Sequence, residues 1–201
     1  MKKRLLIVSA SVLIIAVWAA RLIYLNTHTP FANELYYSMG ETVAYEDDFF
    51  NASDENRDGY SIIVKRATIY PYQEFADKMN IVLSPKSETA YFRADYVYDV
   101  EVTIINKGNE VGAIDMFNTL LVNSNLRMPI DIALWELMYP QLGGSYSFKL
   151  RPDTQMDFHF PYTIETSFEQ KNISLQDLKT RPLLLNISNY PDKKMIRIEL
   201  S

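Results

Sequence analysis

An all-β domain behind a single N-terminal membrane-spanning helix is the architecture this 201-residue sequence predicts. Three observations carry it. Leu5 to Ala20 is a sixteen-residue run without a charge. From about residue 39 onward, apolar residues recur with period 2, the spacing of half-buried strands. Turn-forming Asn, Asp, Gly and Pro break that pattern at short intervals. The length suits one domain plus an anchor. The chain has no cysteine, which excludes disulfide frameworks and thiolate metal sites.

The anchor comes first. Lys2, Lys3 and Arg4 precede the apolar run, and Arg21 follows it. Residues 5–25 reach across a hydrocarbon core of about 30 Å if Arg21 snorkels to the outer headgroups. The cationic start holds the N-terminus in the cytoplasm by the positive-inside rule, so everything after residue 25 is extracytoplasmic. The alternative is a signal peptide cut after Ala19, with Val17 at position −3. The predicted organisation is a cytoplasmic start and single-pass anchor over 1–25, a tether over 26–38 and a β-domain over 39–201.

Within that domain the clearest strand is 94–104. Ala94, Tyr96, Tyr98, Val100, Val102 and Ile104 share one face, and Asp95, Asp99, Glu101 and Thr103 the other. Shorter alternations run over 146–150, 156–160 and 196–200, and β-rich runs cover 60–70 and 183–187. Asp58-Gly59 and Asn106-Lys107-Gly108-Asn109 supply turns. Residues 72–80 read as a helix after Pro71, and 175–179 as one turn capped by Ser174 with Asp177 at its third position. Residues 114–122 read as a strand, and 130–138 as a strand rather than a helix. The sum is an antiparallel β-sandwich of immunoglobulin-like type with one or two short helices.

Several stretches carry a family resemblance: Met39-Gly40-Glu41, Phe49-Phe50, Glu55-Asn56, Asp58-Gly59-Tyr60-Ser61 and Tyr72-Gln73-Glu74-Phe75. Trp135 to Pro140, Phe148 to Pro152 and Pro161-Tyr162 extend it. Together they resemble a family of small, N-terminally anchored proteins of unknown function from Gram-positive Firmicutes, with an immunoglobulin-like extracytoplasmic domain. These motifs are turns and core aromatics, so the resemblance implies a fold and no catalytic residues. Proteins of this type often sit near transporter genes, and the resemblance thereby implies a partner role.

Charge narrows the function. Four of the 20 basic residues lie in 1–25; the rest of the chain holds 16 against 25 acidic residues, a net of −9. Nucleic-acid binding needs a basic face and is excluded on that count. The sharpest local signal is the acidic 46–58 loop. Asp54, Asn56 and Asp58 stand at positions 1, 3 and 5 of a calcium-loop pattern, with Gly59 at position 6. The pattern then fails: position 12 is Lys65, where a bidentate Glu is required.

His28 falls in the tether. His159 shares an outward strand face with Asp157, without a specified nucleophile. Asp95, Asp99 and Glu101 have the spacing of a carboxylate pair, but any exposed alternating strand produces it. Tyr36, Tyr37, Tyr45 and Tyr72 are candidates for a ligand-facing aromatic patch. The sequence therefore points to a non-catalytic interaction module on the outer face of the cell membrane. It is held there by residues 5–25 and partnered by a membrane complex or surface protein. The alternative is a ligand- or calcium-binding sensor using Asp54, Asn56 and Asp58; no other cofactor is expected.

Overall fold

A computed structural model describes residues 2–28, 32–51, 55–82, 94–142, 145–165 and 174–201. The chain divides into two units, residues 1–32 and 33–201. The first is α1 (Lys2–His28), 27 residues without Gly or Pro, about 40 Å at the α-helical rise. Its segment Ser9–Thr27 is long and apolar enough to cross a membrane. The Thr27 hydroxyl donates back to the Ile23 carbonyl at 2.8 Å and closes the last turn.

In the second unit the strands are β1 (Asn33–Ser38), β2 (Val43–Ala44), β3 (Tyr60–Pro71), β4 (Tyr96–Asn106), β5 (Ile114–Asp115), β6 (Leu120–Val122), β7 (Arg127–Met128), β8 (Ser147–Phe148), β9 (Thr154–Ile164), β10 (Leu183–Asn186) and β11 (Asp192–Ile198). The helices are α2 (Tyr72–Lys78), α3 (Ile132–Met138) and α4 (Leu175–Thr180), with a 3-10 turn at Pro140–Leu142. The sheets run β1-β11-β10-β6-β7, β2-β3-β4-β9 and β5-β8. The molecule is thus mostly β-sheet with few helices. Inward residues of all three sheets meet in one core: Val64, Val102 and Phe160 from one, Leu121, Leu185 and Ile196 from another, Ile114 and Phe148 from the third.

Four sequence expectations change. The tether over 26–38 is taken up at both ends, by α1 through His28 and by β1 from Asn33. In β1 only Leu35 and Tyr37 turn inward, too few to register as a period in sequence. Its docking is fixed by Asn33 donating to Asp192 at 2.9 Å and Lys193 pairing with Glu34 at 2.7 Å. The expected purely antiparallel arrangement also changes, because β1 pairs with β11 in parallel. Parallel neighbours need a long crossover, and almost the whole domain lies between these two strands.

Residues 130–138 form a helix rather than a strand. Asp131 caps it, accepting from the Leu134 amide at 2.9 Å, and turns Leu134 and Trp135 inward. The strand expected over 114–122 is split into β5 and β6. Asp115 accepts from the Phe117 amide at 2.8 Å, and Thr119 bonds the Met116 carbonyl at 3.0 Å, making a turn.

The helices alter what the sheet exposes. β4 buries Tyr98, Val100, Val102 and Ile104 as its alternation requires. Its other face is covered too: Val97 packs with Phe75, Ala76 and Leu134 of α2 and α3. Strand β9 forms the edge of its sheet, and α3 protects it. The Pro161 carbonyl accepts from the Asp131 amide at 2.7 Å, while Pro161 itself has no N–H to offer a further strand. The capping box of α4 forms as its sequence predicts, with Asp177 N donating to Ser174 Oγ at 3.1 Å.

Trp135 joins these parts. Its ring lies 4.5 Å from Tyr139, 5.8 Å from Phe158 and 6.0 Å from Phe160, centroid to centroid. Trp135→Ala is expected to cost about 3–5 kcal/mol of unfolding free energy, measured from urea midpoints. A loss near that of an average surface substitution would refute its place at the centre of the core.

Candidate functional site

The acidic loop is built around two buried cations. Lys194 follows the outward Lys193 on β11, so strand alternation sends it inward, where it is only 2% exposed. A buried ammonium is costly unless paired and hydrogen-bonded. Its Nζ meets the Ala44 carbonyl at 2.8 Å, Glu46 at 2.5 Å and the buried Asp48 at 2.6 Å. The other Asp48 oxygen accepts from the Asp192 amide at 2.9 Å. Burial alone would lower the Lys194 pKa; hydrogen bonds and charge from Asp48 and Glu46 outweigh it and raise the value.

Arg57 is the second cation, 1% exposed, paired with Glu55. Its guanidinium stands 4.7 Å from the Phe50 ring centroid and 5.5 Å from that of Tyr45. Much of the loop's negative charge is therefore answered from inside the protein. Arg57 was visible beside the acids in sequence. Lys194 was not, because nearly 150 residues separate it from Glu46 and Asp48.

Of the three metal residues the sequence singled out, Asp54 lies outside the described residues. Asn56 and Asp58 are brought together with Lys107, Asn109 and Glu110 around a surface depression of about 330 Å³. Their oxygens are partly engaged. Asn109 Nδ2 donates to Asn56 Oδ1 at 3.1 Å and to the Asp58 carbonyl at 2.5 Å, while Asp58 Oδ1 accepts from the Gly59 amide at 2.9 Å. Gly59 takes φ +78°, and a Cβ there would lie 2.5 Å from the Lys107 carbonyl. Among the described residues no three His, Asp or Glu side chains converge as a metal site.

The outer face of the β3-β4-β9 sheet holds the histidine and the spaced carboxylates. His159 Nδ1 lies 3.0 Å from both oxygens of the buried Asp99, across the β4–β9 pair rather than along its own strand. Asp157, the expected neighbour, is held by Lys65 at 2.8 Å and Thr103 at 2.6 Å, which lower its pKa through hydrogen bonds. Glu101 pairs with Arg66 at 2.7 Å. Tyr139 Oη accepts from the His159 amide at 2.7 Å, and burial pushes this phenol up to about 12. The acids of this face are thus separated into individual pairs. The expected tyrosine patch is also dispersed: Tyr36 is exposed and donates to Glu34 at 2.7 Å, whereas Tyr45 is wholly buried.

A different cavity, of about 300 Å³, opens beside α4 and the end of β11. Lys179, Arg181 and Arg197 stand around it with Glu199, and Leu178 and Ile198 give it apolar wall. Tyr98, only 1% exposed, also lines it. Three separate stretches of chain contribute, so no local motif in the sequence marks it.

A family model for a domain of unknown function, DUF5028, matches residues 34–194. The chain belongs to this family. The DUF5028 match begins within β1 and ends at Lys194, so it takes in the strand that the sequence reading left in the tether. The family is uncharacterised, as the sequence resemblance implied. Comparisons with curated proteins and with solved structures gave no match.

Lys194→Met would strand Asp48 as a buried charge and is expected to cost about 3–5 kcal/mol, part of which Asp48→Asn in the same chain restores. Because the folded pKa of Lys194 is raised, its ionic contribution is complete below the ordinary lysine value of 10.5. It is lost as pH climbs through the higher folded value. Urea titrations of wild type and Lys194→Met should therefore converge in strongly alkaline buffer. A constant difference across that range would refute the ion-pair account.

Proposed function

We propose that this DUF5028 protein is a non-catalytic interaction module of the cell membrane. Its immunoglobulin-like β-domain stands on the extracytoplasmic side and docks onto a membrane complex or surface protein. The observation that carries the reading is the sequence of units. An apolar helix long enough to span a bilayer ends at His28, and a domain with its own core begins at Asn33. Lys2, Lys3 and Arg4 ahead of the apolar segment support a cytoplasmic N-terminus. The resembled Gram-positive family has the same order. The immunoglobulin-like assignment draws on two larger sheets that share one core, with β1 as an added parallel edge.

The non-catalytic part of the reading is supported by the pairing of the acids. Asp99 faces His159, Glu101 faces Arg66 and Asp157 faces Lys65, each in a separate structural contact. Lys194 and Arg57 answer charge in the 46–58 loop that a calcium ion would otherwise answer. That internal pairing supports a module that works without a metal.

The chain has no cysteine, so a single Lys107→Cys substitution reports topology directly. A membrane-impermeant maleimide is expected to label it in intact cells, and cross-linking in the same membranes to capture one reproducible partner. Labelling that appears only after lysis would overturn the extracytoplasmic assignment. Millimolar calcium is expected to leave Tm unchanged. A rise that Asp58→Asn abolishes would instead make the loop a calcium sensor.

A further inference from the structure

We infer that the cavity between α4 and the end of β11 is a binding site for a small organic anion, a phosphate or carboxylate headgroup on a compact apolar body. The cavity volume of about 300 Å³ lies at the lower end of the range for small-molecule sites. Its lining is basic on a domain that is otherwise acidic. Lys179, Arg181 and Arg197 face one acid, Glu199. Arg181 reaches Asp177 at 3.2 Å, an exposed pair that a ligand can outcompete. Arginine offers a planar fork of donors suited to phosphate and carboxylate oxygens.

The second observation is Tyr98. It sits on the inward face of β4 and is almost wholly buried, yet it lines this cavity. Among the described residues this hydroxyl makes no hydrogen bond, and burial alone raises its pKa. The hydroxyl is left with a donor to offer. An unanswered phenol in the same lining as three cations suits an anionic oxygen, because a buried polar group gains most from the partner it lacks. Leu178, Pro182, Ile198 and Leu200 also line the cavity and provide apolar contact for the body of the ligand.

The test uses the full chain in a neutral maltoside detergent at low salt, with calorimetric titration of phenyl phosphate, inorganic phosphate and benzyl alcohol. Phenyl phosphate is expected to bind at least about tenfold more tightly than either fragment, since only it uses both headgroup and wall. Arg197→Gln is expected to weaken phenyl phosphate about tenfold, and Tyr98→Phe about three- to tenfold. Tm of each variant, measured without ligand, separates loss of binding from loss of fold. Arg197 is exposed, so its variant keeps the wild-type Tm and carries the test if Tyr98→Phe unfolds.

A membrane phospholipid could present the same headgroup. Short-chain phosphatidic acid is therefore titrated alongside and is expected to bind no more tightly than inorganic phosphate, because its two chains exceed the cavity. Tighter binding of phosphatidic acid than of phenyl phosphate would overturn the assignment in favour of a lipid. Equal affinities for phenyl phosphate and inorganic phosphate, an Arg197→Gln affinity within twofold of wild type, or no binding at all would overturn it outright.

Discussion

The burial of the Lys194 ammonium constrains more of this fold than any other single contact. A cation in that position requires carboxylate and carbonyl oxygens from elsewhere, since water cannot reach it. The oxygens come from residues 44–48, which ties the segment after β2 onto β11. Phe49 then bridges to Tyr190, and Asp48 bonds the first amide of β11. The segment that looks in sequence like a solvated acidic loop is thereby a clamp joining an early part of the domain to its last strand.

That last strand holds the middle of the arrangement. β11 is hydrogen-bonded to β10 on one side and to β1 on the other. Its Ile196 and Ile198 enter the shared core, Met195 is buried on the other face, and its polar positions serve the neighbours: Lys193 holds Glu34 of β1 and Lys194 holds the clamp. The pairing of β1 and the seating of residues 44–48 are thus settled only when the final strand docks. Contacts of this kind span most of the chain and require loop closure before they contribute.

What sequence reading could see follows from the range of the signal. The alternation of β4, the β9 run and the capping box at Ser174 and Asp177 are local patterns, and they appear where expected. The Leu134 and Trp135 segment reads ambiguously because nine residues with seven apolar side chains fit a strand and a short helix equally; only Asp131 as cap distinguishes them. The β1 pairing was missed because its partner lies at the far end of the chain. The Asn56 and Asp58 loop is legible in sequence, but the partners that fold onto this region are not. Asn109 and Lys194, which engage this region, lie roughly 50 to 150 residues away.

This last point bears on where a ligand would be held. A dense run of acids in sequence attracts attention, yet folding brings cations to it. Glu46, Asp48 and Glu55 face Lys194 or Arg57 inside the protein. Further along, Lys65, Arg66 and Lys193 each face an acid across strands. Such pairing lowers the local potential that a charged ligand could use. Around the α4 cavity the opposite holds. Three cations and one acid share its lining with the buried Tyr98, whose hydroxyl makes no hydrogen bond among the described residues. Like charges kept apart by an empty space are stabilised by what enters it, whereas opposite charges in contact are already satisfied. The site of highest charge density in the sequence is for this reason the scaffold, and the unbalanced cluster assembled by the fold is the place for a ligand.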